Sequence, residues 1–190
     1  METYLSNAIW NFRYYKSLGE KAIAQLADDK LNVQLNDESN SIALIVKHLE
    51  GNMLSRWTDF LTTDGEKPSR QRDGEFEGGY DSRAELLAAW ERGWMCLFDA
   101  LESLTDADLN RTIFIRNEGL LVVEAINRQL AHYGYHVGQI VFLAKVLAVG
   151  EWKTLSIARR KSQSYNAAHF EKLAQRKDFD APNFYDAPSV

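Results

Sequence analysis

LLVVEAINRQLAHYGYHVGQIVFLAKVLAVG, residues 120–150, decides the fold. The stretch holds no proline, and Val122, Ile126, Tyr133, Ile140 and Ala144 recur at the spacing of one helix face. A helix is expected to run to about Val149, with Gly150 as its stop. His132 and His136 stand four residues apart on it, so their side chains share a face one turn apart. That separation lets two imidazoles grip one divalent ion. At about 100° per residue the pair projects at the edge of the apolar stripe, in a sector with Ala125, Gln129, Gln139 and Leu143. Such a half-buried position suits a site reached from solvent.

Working outward, the chain has prolines only at 68, 182 and 188, which leaves 69–181 free of them. Proline costs about 3 kcal/mol inside a helix, so its absence permits long ones. Upstream, Thr112–Ile115 and Leu120–Val123 flank Arg116-Asn117-Glu118-Gly119 and suggest a small hairpin, although the second run fits the first turn of the last long helix equally well. Before it, Asp81 or Ser82 caps a third helix carrying Leu86, Leu87, Trp90, Trp94, Leu97, Phe98 and Leu101. Residues 65–80, GEKPSRQRDGEFEGGY, are a glycine- and charge-rich loop. A second helix, capped by Asp37, Ser39 or Asn40, carries Ile42, Ile45, Leu49, Met53 and Phe60 and should stop near Asp64-Gly65. A first helix is read from about Glu2 to Ala27. The expected fold is all-α: a four-helix bundle over residues 1–150 with a small hairpin-like segment. A loop of about sixteen residues is long for antiparallel neighbours and suits a crossover between the second and third helices. Residues 151–190 read as an extension packed on the bundle, looser at its end, with a short helix around Asn166–Arg176.

Composition narrows the function classes. At 190 residues, 45% hydrophobic and 26% charged, the chain suits one folded domain and excludes wholesale disorder. A net charge of −5 argues against nucleic acid as a partner. No apolar run approaches the roughly 18 residues of a membrane span, and the N-terminal residues do not read as a signal peptide. Cys96, the single cysteine, has no internal disulfide partner and reads as a small core residue. The expected setting is cytoplasmic. Phosphate-binding glycine loops and nucleophile elbows do not occur, and Tyr133 stands where HExxH would need its glutamate. Arg159-Arg160-Lys161 reads as a solvated turn.

Four histidines are available. His48 lies off the main stripe of the second helix, sharing a sector with Ser41, Asn52, Ser55 and Asp59. If the second and fourth helices are neighbours, His48 is a third ligand facing His132 and His136, with Asn52, Gln129 and Gln139 as outer partners or substrate contacts. Spacing alone leaves the plain alternative open, because HxxxH also arises by chance and a half-buried histidine commonly bonds a neighbour. His169 is read as solvated or packed and is left out of the site.

KHLEGNMLSRW, residues 47–57, and HYGYHVGQI, residues 132–140, together resemble the DinB-like superfamily of metal-binding helical bundles. In that family a histidine of the second helix and HxxxHxGQ in the fourth bind a divalent metal. The stretches 40–77 and 151–166 are similar to one uncharacterised bacterial branch, whose members carry proline and glycine where this chain has Ala158-Arg159-Arg160. The resemblance implies the crossover bundle, frequent dimerisation, and zinc or nickel bound by His48, His132 and His136. It further implies a thiol-dependent S-transferase using a low-molecular-weight thiol, or a metal-dependent hydrolase, acting on a small molecule.

Three neutral histidines leave a coordination position open, whereas structural zinc is usually closed by four ligands. A metalloenzyme and a non-catalytic metal-binding protein both remain. A general base near the ion would favour the enzyme, and the sequence offers only the distant Asp59 and Glu118. The aromatic load of the first helix (Tyr4, Trp10, Phe12, Tyr14 and Tyr15 around more than one face) asks for a second surface. That surface is the C-terminal extension or, with the family resemblance, a homodimer.

Overall fold

The computed structural model describes residues 3–170. They form a mostly helical chain with one two-stranded antiparallel hairpin: α1 (Tyr4–Ile23), α2 (Ile42–Trp57), α3 (Arg83–Glu102), β1 (Thr112–Ile115), β2 (Glu118–Leu121), α4 (Val122–Leu147) and α5 (Ser162–Phe170).

The helix ends follow local chemistry. Thr3 accepts the Ser6 N–H and opens α1, and Ser41 accepts the Leu44 N–H to open α2. Ser41 thus caps the second helix in place of Asp37, Ser39 or Asn40, and Ile42, directly after it, opens the helix fully buried in the core. The first helix stops at Ile23, short of the expected Ala27. There Arg83 donates to the carbonyls of Ile23 (3.1 Å) and Leu26 (2.6 Å), groups a helix terminus leaves unpaired. The second helix also ends early, at Trp57, where Asp59 takes a positive φ of 48°. Thr62 and Thr63 turn their hydroxyls onto the Asp59 carbonyl, an alternative to helical bonding that these side chains favour. Ser82 caps α3.

The ambiguous run 120–123 is divided between two elements: Leu120 and Leu121 pair with Ile113 and Thr112, and the helix begins at Val122. The turn is two residues long. Arg116 and Asn117 have φ of 55° and 62°, as a tight hairpin turn requires. The last long helix ends at Leu147, two residues short of Val149, with Gly150 at φ 96° beyond it. The short helix of the extension begins at Ser162, earlier than Asn166, and its expected continuation to Arg176 lies outside the described residues.

One core joins the long helices. Phe12, Ile45, Leu49, Met53, Leu86, Trp90, Trp94, Tyr133 and Ile140 are buried within it. α2 packs on α3 and α1 on α4, with further contacts between α2 and α4 and between α1 and α3. Glu50 lies against Arg92 and Gly93, and Met53 against Cys96, so α2 and α3 run in the same direction. A β-carbon on Gly93 would stand 3.1 Å from both the Glu50 backbone and the Met53 sulfur, which is why a glycine suits this close crossing. The consequence for function is that α2 and α4 meet face to face, with Trp57 Nε1 donating to the Tyr133 hydroxyl and that hydroxyl to Asn52. Trp152 and Leu155 pack on the core, and Lys153 exchanges hydrogen bonds with Gln25. Among the described residues no helix is long and apolar enough to cross a membrane.

Candidate metal centre

The α2–α4 contact brings His48, His132 and His136 together. His132 Nε2 lies 3.3 Å from His48 Nε2 and 3.1 Å from His136 Nε2, and one ring nitrogen from each lies within 4.8 Å of the others. His48 and His136 are buried, and His132 is half-buried.

Each imidazole is held from behind. His48 Nδ1 faces Glu75 Oε2 at 2.9 Å, His132 Nδ1 faces Gln129 Oε1 at 3.3 Å, and His136 Nδ1 faces Gln139 Oε1 at 2.8 Å. All three acceptors are oxygens, so each Nδ1 carries the proton and donates it. The three Nε2 lone pairs then converge with no proton among them. Nitrogens bound to one tetrahedral zinc at about 2.0–2.1 Å stand about 3.3 Å apart, close to the two separations measured from His132. Burial above all, then His136 and His48, pushes His132 down to about 3, and burial with His48 takes His136 to about 4. Both rings are therefore neutral at neutral pH, as metal ligands must be. Among the described residues, this group could hold a metal ion.

Glu75 was not legible as a site residue. It lies in a short 3-10 turn, Asp73–Phe76, of the long loop, and its carboxylate is buried. Arg70 grips it with two bonds, Nε to Oε1 at 2.7 Å and NH2 to Oε2 at 2.9 Å. Burial alone would raise the Glu75 carboxyl, yet the bonds from His48 and Arg70 hold it below the usual range. Arg70, Glu75 and His48 thus form a chain of charge-assisted bonds that ends at the converging nitrogens. Phe76 follows and stacks on the His48 ring at 5.1 Å. The sequence signal for this arrangement was the glycine inside α2: Gly51 leaves room for the Glu75 carboxylate.

Of the three expected partners, Gln129 and Gln139 hold the rings of His132 and His136. Asn52 instead accepts from the Tyr133 hydroxyl at 3.1 Å and lines a cavity of about 350 Å³ beside the imidazoles. Asp59 and Glu118 do not line that cavity; Asp59 faces a different one, on the side of the long loop. Cys96 is half-buried against Met53 and Thr58, and burial raises its thiol. His169 bonds the Tyr165 carbonyl within its own helix, outside the cluster.

A comparison with curated proteins finds no match. The model of the family described as "Protein of unknown function (DUF1572)" matches residues 1–161, and the chain belongs to that family.

Proposed function

We propose that His48, His132 and His136 hold one divalent ion, zinc or nickel, in a DinB-like four-helix bundle whose chain crosses over between α2 and α3. The shared direction of α2 and α3 and the long connection over residues 58–82 support that architecture. The observation that carries the metal reading is the set of three unprotonated nitrogens facing one another while every Nδ1 donates outward. In our reading the site is a metalloenzyme for a small molecule, working by thiol-dependent S-transfer or by hydrolysis, in a cytoplasmic homodimer.

A bound ion of this kind supplies Lewis acidity at a coordination position left open by three protein ligands. The chain's own residues do the rest. Glu75 keeps the His48 proton on Nδ1, and Gln129 and Gln139 do the same for the other two rings. Arg70 fixes Glu75, and Phe76 covers one face of His48. The cavity admits a molecule beside the imidazoles. Among the described residues its wall has no aspartate or glutamate to take a proton, and Glu75 is committed to His48 and Arg70. This favours a nucleophile that loses its proton readily to solvent, as a low-molecular-weight thiol of pKa about 8.5 does, over water attacking a neutral substrate. The same missing base favours a second reading, a non-catalytic metal-binding protein.

Screening zinc- and nickel-loaded protein with small thiols and electrophiles, and with activated esters, separates these. S-transfer predicts conjugation that needs both thiol and metal and is lost in His136→Ala. Metal binding without turnover of any substrate class supports the non-catalytic reading.

A further inference from the structure

The cavity beside the imidazoles is far more basic than the protein around it. Arg56, Arg70, Arg72, Arg116 and Arg128 line it, with no acidic residue among the described lining, although the chain has 27 acidic side chains against 22 basic ones. Two carboxylates serve three of these guanidiniums from behind: Glu66 bonds Arg56 and Arg116, each at 3.0 Å, and Glu75 bonds Arg70. The Arg72 and Arg128 side chains have no ion pair among the described residues. Five guanidiniums against two carboxylates leave three positive charges in excess. Arg56 is buried, and its Nε has no hydrogen-bond partner.

Like charges gathered in one cavity repel, and a buried guanidinium atom without a partner is costly. The repulsion falls when an anion enters, and a guanidinium fork matches the two oxygens of a carboxylate or phosphate. The volume suits a small molecule. Phe76 and Tyr135 lie against His48 and His136 and add exposed aromatic surface for an organic body.

We propose that the ligand of this site is a small organic oxyanion, a carboxylate or phosphate ester, whose anionic group is held by Arg72 and Arg128 while its reacting end faces the three histidines. The assignment of a reacting end rests on the metal reading above; the anion site does not.

Calorimetric titration of the full chain, metal-stripped and zinc-loaded, with benzoate, phenyl phosphate, inorganic phosphate and neutral benzamide tests it. The metal-stripped protein is expected to bind benzoate or phenyl phosphate at least about tenfold more tightly than benzamide, with affinity falling as salt rises. Benzoate and phenyl phosphate compared with each other identify the preferred headgroup. The double variant Arg72→Gln/Arg128→Gln, at two exposed positions, should lose about tenfold or more in anion affinity with its circular dichroism unchanged. Benzamide bound as well as the anions, no anion bound at about 10 mM, or a double variant within about twofold of wild type would overturn the proposal. Anion binding without zinc uptake upholds the anion site and defeats the metal reading; zinc uptake without anion binding does the reverse.

Discussion

The Glu75 carboxylate lies where a side chain at position 51 would begin: a β-carbon built on Gly51 would stand 2.8 Å from the Glu75 carboxyl carbon. A glycine inside a helix sacrifices about 1 kcal/mol relative to alanine, and here it leaves room for the acid that orients His48. Gly51→Ala should therefore strengthen the helix locally while displacing Glu75, and metal affinity should fall by about 10–100-fold. Competition titration with a chromogenic chelator measures this. Glu75→Gln should give a similar loss, together with destabilisation of order 3 kcal/mol from the buried Arg70 it leaves behind. A Gly51→Ala protein with wild-type affinity would separate the glycine from the site.

Tyr133 joins the two helices that carry the three histidines through a fully buried hydroxyl that donates to Asn52 and accepts from Trp57. Tyr133→Phe leaves both groups without that partner, at a cost of about 1–3 kcal/mol. Urea denaturation should show the lower midpoint, with an unchanged slope.

Asp64 ties the long loop to the hairpin. Its carboxylate accepts the N–H groups of Glu66 (2.7 Å), Asn117 and Arg116 (2.8 Å each), and these bonds, that of Glu66 foremost, lower its carboxyl below the ordinary value. A depressed folded-state pKa gives stability that is present above the unfolded value, about 3.9, and lost as pH falls through the folded one. Stability of the wild type should decline with acidification across that window, and Asp64→Asn should show a shallower decline. Thermal melts between about pH 5 and pH 3 make the comparison.

Assembly is tested separately. Phe12 is buried in the core, while Tyr4, Trp10, Tyr14 and Tyr15 remain half-exposed along α1, and Met95, Phe142 and Val146 are exposed on α3 and α4. Sedimentation equilibrium should give about 43 kDa, twice the chain mass of 21.7 kDa. A mass near that of one chain at micromolar concentration would assign these aromatics to the extension.

His132 and His136 were readable as a pair because helical geometry alone places i and i+4 on one face. His48 was readable only conditionally: its sector of small polar residues beside an apolar stripe suited a cleft if the second and fourth helices met, and the family resemblance named it as the third histidine. The boundary at Trp57 was not, since the continuing apolar residue Phe60 is buried from a turn instead of a helix. Nor was Glu75, whose loop takes its shape from contacts with α2 and Arg70 and carries no periodic pattern of its own. The arginines of the cavity come from α2, the long loop, the hairpin and α4, and only the folded chain gathers them.

The metal content of purified protein tests the central claim most directly. After saturation with zinc and removal of loosely bound ions, elemental analysis should find about one ion per chain in the wild type and less than about a tenth of that in His48→Ala, His132→Ala and His136→Ala. A wild-type protein that retains no ion, or three histidine variants that retain as much as the wild type, would contradict the account.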